Sequence, residues 1–319
     1  MASDGRTSPT GHKLRRTKSR PDLFLVLTWM ASVASVATLL WILESIVTPA
    51  WPAIQQNGLS FFTSTVWDVN RNRYGALPFL IGTTASSLIA LGIALPLGVF
   101  IALFLSENFL PLAVRQVIRF VVELLAAIPS VVYGLWGIAV VIPIVQQFGG
   151  YLSDSLGFIP LFSGPATGNS MLTASLVLAI MVLPTITAIS RTALVAVPLT
   201  LREGSYAVGA TRWETIFRVL IPAAAPGIVA ATILAFGRAM GETMAVAMLI
   251  GNSPRLSWSL LSPAGTLAGL LANQFGEAQG LQISALMYAA LALVLLTLLV
   301  NMAGEAVLRR AEKSTAGIR

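Results

Sequence analysis

In the stretch FGRAMGETMAV, residues 236–246, an arginine and a glutamate stand four residues apart inside an apolar run. An ionised side chain at the centre of a bilayer costs roughly 2.5–3.5 kcal/mol, so Arg238 and Glu242 call for a purpose. On one continuous helix this spacing stacks them on one face, where pairing lowers that cost. A guanidinium fork matches two oxygens of a phosphate-like anion. Arg238 is therefore a candidate ligand on a substrate pathway, and Glu242 is a group that orients it or balances it when no anion is present. Gly237, Gly241 and Ala245 form a small-residue stripe on the adjacent face, suited to close helix packing. The pair has a second reading, a buried structural salt bridge at a subunit interface.

Other chemistry is sparse. Cysteine is absent, which excludes disulfides and thiolate metal sites. The single histidine, His12, lies in a polar tail, so no histidine-based metal or catalytic site is expected. A phosphate loop needs Gly-Lys-Ser/Thr, and none of the three lysines, Lys13, Lys18 and Lys313, follows a glycine. The chain is thus expected to carry no cofactor, no metal and no enzymatic activity of its own.

The elements that must position these residues are membrane spans. Of 319 residues, 56% are hydrophobic and 10% charged, with mean hydropathy +0.81. A soluble domain carries about 25% charged residues. Six segments reach the roughly 20 apolar residues a crossing helix requires. They are 23–43, 76–106, a third within 116–147, 171–190, a fifth within 226–250 and a sixth within 283–304. The first is longer than a signal-peptide core of about 7–15 residues and reads as an uncleaved span. The fold class is an all-α integral membrane protein, with a basic tail over 1–21, a six-span domain over 22–310 and a C-terminal tail over 311–319.

The net charge of +7 marks loop sidedness rather than nucleic-acid binding. Sixteen Lys and Arg fall in the tails, the 2–3 connection and the 4–5 connection, against three in the alternate loops. That bias places both termini in the cytoplasm. The N-terminal tail is expected to touch anionic lipid. The outer loops, 44–75, 148–170 and 251–282, are rich in turn formers and are open to an external partner or to a plain connector role. Arg115, Arg119 and Glu123, again four apart, read best as surface ion pairing. Pro129 is expected to bend the third span, and Glu123, Ser130 and Tyr133 are weaker pathway or gate candidates.

The 4–5 connection, 191–225, contains LREGSYAVGATRWETIFRVLIPAAAPGI over residues 201–228. Residues 202–208 have helical character. Gly209 can stop that helix in left-handed geometry. Thr211 followed by Glu214 has capping-box spacing. Pro222 and Pro226 are expected to break the pattern before the fifth span.

This loop resembles the cytoplasmic loop of binding-protein-dependent ABC importer permeases. Their pattern is Glu-Ala-Ala, three residues, Gly, nine residues, Ile, one residue, Leu-Pro. Here Glu203 is followed by Gly204 and Ser205 in place of two alanines. Gly209 stands at the family's distance, and Val219, Leu220, Ile221 and Pro222 give a conservative match to the end. Two further strings, ELLAAIPSVVYGLWG (123–137) and GRAMGETMAV (237–246), resemble the PstC-type permeases of phosphate-specific ABC importers more than their PstA-type sisters.

The resemblance implies a type I ABC importer permease fold in a prokaryotic plasma membrane. It also implies that Glu203, Gly209 and Ala210 belong to a coupling helix seated on an ATPase. The implied partners are a second, PstA-like permease, a PstB-like ATPase dimer that binds ATP and Mg, and an extracytoplasmic PstS-like phosphate-binding protein. Two alternatives stay open: the same architecture importing another oxyanion such as sulfate or molybdate, and an ion-coupled secondary transporter.

Overall fold

The computed structural model describes residues 23–107 and 109–315. The basic tail over 1–21, with His12, lies outside them, as does the very end of the C-terminal tail. Six helical stretches are long and apolar enough to cross a membrane.

The chain divides into two compact units, 1–45 and 46–319. In the first, residues 23–45 form the start of helix α1 (Leu23–Asn57). Every side chain from Leu23 to Ser45 is exposed, which suits a helix whose solvent is lipid. The helix outruns the expected first span, continuing through Pro49 and Pro52.

The second unit is built on three packed helices, α2 (Leu77–Ser106), α6 (Met171–Val195) and α9 (Ile221–Gly241). Small residues let them approach. Ala90, Ala94, Ala174, Ala235 and Ala239 are buried where the three meet, beside Val177, Leu178 and Ile186. Close packing of small residues substitutes for the hydrophobic effect, which is weak between helices in lipid. Gly98 of α2 lies against Ile186, and Thr187 donates to the Gly98 carbonyl at 3.3 Å. Helix α12 (Leu281–Thr315) packs on α9 from outside.

Three expectations are corrected. The third span, expected within 116–147, occupies Ser130–Leu156 and so runs beyond that window. Residues Leu112–Ala127 form a separate amphipathic helix, α3, ended by Ile128 in extended geometry (ψ 127°) before Pro129. A residue preceding proline is pushed out of the helical region, so Pro129 terminates the helix rather than bending it. The span proper is α4 (Ser130–Trp136), a π turn over Gly137–Val141, and α5 (Ile142–Leu156). The fifth helical stretch starts earlier than expected. Pro222 and Pro226 do not break it: α8 (Arg212–Thr215) runs through a second π turn, Ile216–Leu220, directly into α9. In both spans the π turn ends just before an Ile-Pro pair. A π turn shifts each acceptor by one residue, which provides for a ring nitrogen that cannot donate. The fifth stretch also stops early, at Gly241, and resumes as α10 (Met244–Leu249).

The outer connections carry structure of their own. A two-residue hairpin pairs β1 (Trp67–Asp68) with β2 (Arg73–Tyr74), a small exception to the all-α class. Asp68 Oδ1 accepts from the amides of Asn70 and Arg71 to close its turn. Residues 251–266 fold back into the bundle, where Leu261 is fully buried. Their backbone meets the start of α6 through Met171 N–H to Ser262 O and Leu172 N–H to Leu260 O. Gly265 passes so close to Gly82 of α2 that a Cβ on Gly82 would lie 2.0 Å from the Gly265 carbonyl oxygen. Helix α11 (Leu267–Gln274) follows and buries Leu267 and Leu270 against α12 and the hairpin region.

Candidate functional site

Arg238 lies in the last turn of α9 and is exposed in the single chain. Its Nη1 donates to Thr185 Oγ1 of α6 at 3.2 Å. Around it, Thr185, Leu234, Gly237 and Asn301 line an open cavity of about 540 Å³. The lining offers a guanidinium, a hydroxyl and a carboxamide, and no carboxylate.

Glu242 does not share the helix face of Arg238. It is the residue at which α9 ends, with extended backbone (φ −68°, ψ 126°), its N–H reaching back to the Ala239 carbonyl at 3.3 Å. The stacking expected from four-residue spacing needs a continuous helix, and the helix stops between the two charges. The small-residue stripe is interrupted by the same break. A Cβ at Gly237 would meet Asn301 Oδ1 at 3.3 Å, a close helix contact, whereas among the described residues nothing beyond its own helix and chain neighbours lies within 4 Å of one at Gly241. Ala245 is buried, but on α10.

The two helix interruptions belong together. Helices α4 and α10 each begin just after one, and they pack on each other. Gly134 makes this possible, since a Cβ there would sit 2.6 Å from Met248 Sδ. Non-helical backbone at membrane depth is tolerated where protein or a water-lined cavity surrounds it. Tyr133 is buried on α4 and donates to the Leu125 carbonyl at 2.8 Å. Ser130 opens α4. Glu123 stands apart from this group, paired on α3 with Arg119 at 2.7 Å, both side chains well exposed.

The second site is the 4–5 connection. Helix α7 (Leu199–Ala207) ends in a left-handed glycine, Gly209 at φ +87°. Gly209 N–H bonds the Tyr206 carbonyl and Ala210 N–H the Ser205 carbonyl, the two bonds of a Schellman ending. Thr211 and Glu214 then form the full capping box that opens α8. Ser205 and Thr215 hydroxyls meet at 2.9 Å and hold α7 against α8. Beneath them Leu194, Val197, Ile216, Leu220 and Ala224 bury against Ala102 and Leu103 of α2. Glu203, Tyr206, Val208 and Gly209 remain exposed, Val208 at 85%.

The connection also holds a contact that sequence reasoning missed. Arg202 Nη1 pairs with Glu107 Oε1 at 2.5 Å, and Arg202 Nη2 donates to the Leu194 carbonyl at 3.0 Å. Their side chains are 17% and 7% exposed. This ties α7 to the ends of both α2 and α6. Phe109, just beyond Glu107, stacks on Trp213 and lies under the Arg212 guanidinium. The one local signal was an acid directly after an apolar span. Among the described residues no group of three or more His, Cys, Asp or Glu is placed to hold a metal.

Six helical stretches long and apolar enough to cross a membrane, an arginine cavity between them and a glycine-turned helix pair in the connection before α9 have the arrangement of a membrane permease. Residues 94–316 match the model of the binding-protein-dependent transport system inner membrane component, and the chain belongs to that family. It is a multi-pass plasma-membrane protein. It is 41% identical over 312 residues to a phosphate transport system permease protein PstC of Xylella fastidiosa, covering 95% of each chain. A PstC of Haemophilus influenzae is 41% identical over 89% of this chain and 94% of its own. A probable PstC of Methanocaldococcus jannaschii is 35% identical over 93% and 96%. The fold is that of type I ABC importer permeases. The MetNI methionine ABC transporter in an inward-facing form aligns at TM-score 0.55 and 20% identity, over 73% of this chain and 94% of that one. A bacterial alginate ABC transporter aligns at TM-score 0.56 and 15% identity, over 90% and 96%.

Proposed function

We propose that this chain is the permease subunit of an ATP-driven phosphate importer, with Arg238 on the phosphate path. The observation that carries the reading is the Arg238 cavity. It offers a guanidinium, Thr185 and Asn301 to an anion, with Glu242 held away at the helix break. Phosphate oxygens suit such a fork of N–H donors. Near-full-length identity to phosphate transport permeases supports the choice of anion over sulfate or molybdate.

In this reading both termini and the 4–5 connection face the cytoplasm. The α7–Gly209–α8 unit seats on a separate ATPase dimer, with Glu203, Val208, Gly209 and Ala210 presented to it. The Arg202–Glu107 bond transmits ATPase movement to α2, and Arg202–Leu194 transmits it to α6, whose Thr185 holds Arg238. A second permease closes the open side of the cavity, and an external phosphate-binding protein delivers substrate to the outer segments 251–266 and 157–170. ATP is hydrolysed on the partner. The helix interruptions flanking α4 and α10 give the pathway its movable backbone.

The test is ATP-driven uptake of labelled phosphate by vesicles holding the two permeases, the ATPase and the binding protein. Uptake that unlabelled phosphate suppresses and sulfate or molybdate does not is the expected result. Suppression by sulfate but not phosphate would reassign the substrate. Uptake on an ion gradient without the ATPase would remove the coupling role.

A further inference from the structure

A threonine inside a helix can spend its hydroxyl proton on the carbonyl four residues back. Thr84 of α2, Thr192 of α6, Thr232 of α9 and Thr297 of α12 all do so, at 2.8–3.0 Å. Thr185 of α6 does not. Its side chain makes one hydrogen bond among the described residues, and it is the acceptor in that bond, from Arg238 Nη1 at 3.2 Å. A hydroxyl has one proton and two acceptor lone pairs, and a guanidinium has donors only. Accepting from Arg238 therefore leaves the Thr185 proton unspent and turned away from the arginine.

The surroundings say what that proton is for. Thr185 and Arg238 line the same open cavity, about 540 Å³, and no carboxylate lines it with them. Asn301 brings a carboxamide from α12 into the wall, with no side-chain hydrogen bond among the described residues. Polar groups left unmet within a span are costly. Spare donors beside a guanidinium suit the several oxygens of one oxyanion. Arg238 makes no ion pair among the described residues, so its bond to Thr185 is what fixes the guanidinium on the cavity wall. Thr185 also lies nine residues before Leu194, whose carbonyl accepts from Arg202 of α7. That is about 14 Å along one helix, so movement of α6 from its coupling end acts on the Thr185–Arg238 bond.

We propose that Thr185 is a second phosphate ligand: its oxygen positions Arg238, and its proton goes to an oxygen of the anion that Arg238 holds. The hydroxyl serves both at once, accepting on one side and donating on the other. This rests on the reading of Arg238 as part of the phosphate path. It goes further in giving the hold on that arginine to α6 rather than to Glu242.

The complete importer in vesicles tests the proposal through the amount of labelled phosphate taken up per ATP hydrolysed. Thr185→Val keeps the side-chain shape and removes the hydroxyl. Losing hydrogen bonds to charged groups should lower the ratio about tenfold or more. The concentration of phosphate-binding protein that half-saturates uptake should not move, because Thr185 acts after delivery. Thr185→Ala should fall in the same way, and Thr185→Ser should stay within a few-fold of the parent. Thr84→Val, whose hydroxyl is spent on the Leu80 carbonyl, should match the parent. Arg238→Gln, measured alongside, separates the two readings. If it stops uptake while Thr185→Val and Thr185→Ala keep the parental ratio, the phosphate path stands and the Thr185 role falls. A ratio for Thr185→Ser as low as for Thr185→Val would also overturn the role, since packing and not the hydroxyl would then matter. Parental uptake by Arg238→Gln would remove the phosphate path itself, and the Thr185 role with it.

Discussion

Replacing Glu107 with alanine should loosen the coupling helix without unfolding the bundle. Glu107 is 6% exposed and its carboxylate accepts from Arg202 Nη1 at 2.5 Å. Removing one partner of a buried pair costs about 3–5 kcal/mol, because the other charge is stranded. Arg202 keeps its bond to the Leu194 carbonyl and some access to water, which puts the cost at the lower end, about 3 kcal/mol. At 1.4 kcal/mol per tenfold, the equilibrium for lifting α7 off the bundle shifts by about a hundredfold. Hydrogen exchange reads this directly. The amides of Val208, Gly209 and Ala210, bonded to the carbonyls of Gly204, Tyr206 and Ser205, should exchange about a hundredfold faster. Those in the middle of α6 should not change. Adding Arg202→Ala to Glu107→Ala should cost little more, since the stranded charge is then gone. Unchanged exchange in Glu107→Ala, or strictly additive effects in the double variant, would refute the reasoning.

Two other substitutions read the same geometry. Gly209→Ala forces a side chain into left-handed backbone (φ +87°) at about 1–2 kcal/mol; phosphate-stimulated ATP hydrolysis by the assembled importer should drop while the chain still assembles, and Gly209→Asn should be milder. Gly82→Ala drives a Cβ to 2.0 Å from the Gly265 carbonyl; overpacking of about 1–3 kcal/mol should lower the unfolding temperature, while Gly92→Ala on the same helix, with nothing within 4 Å, should not.

The sequence made local features legible and left distant ones hidden. Spans two and four stand close to where apolar length put them. The Gly209 corner and the Thr211–Glu214 box could be read because each is a short-range hydrogen-bond pattern with its own residue signature. The break at Ile128 was half visible, as Pro129 announced a disturbance without saying that α3 would separate from α4. The break at Glu242 had no proline to mark it, so spacing alone implied a helical Arg238–Glu242 pair that the chain does not make. The continuity through Pro222 was obscured because a π turn, which leaves no composition signal, takes up the missing donor. Arg202–Glu107 and Gly82–Gly265 join residues 95 and 183 positions apart, and neither has a periodicity to betray it.

The central claim is that Arg238 handles the transported phosphate. The most direct measurement is labelled phosphate uptake by vesicles containing the complete importer with Arg238→Gln. Thr185, Asn301 and the cavity remain in this variant while the charge is lost. The account predicts that uptake falls to background, with assembly and basal ATP hydrolysis retained. Uptake at the parental rate by the fully assembled variant would contradict it.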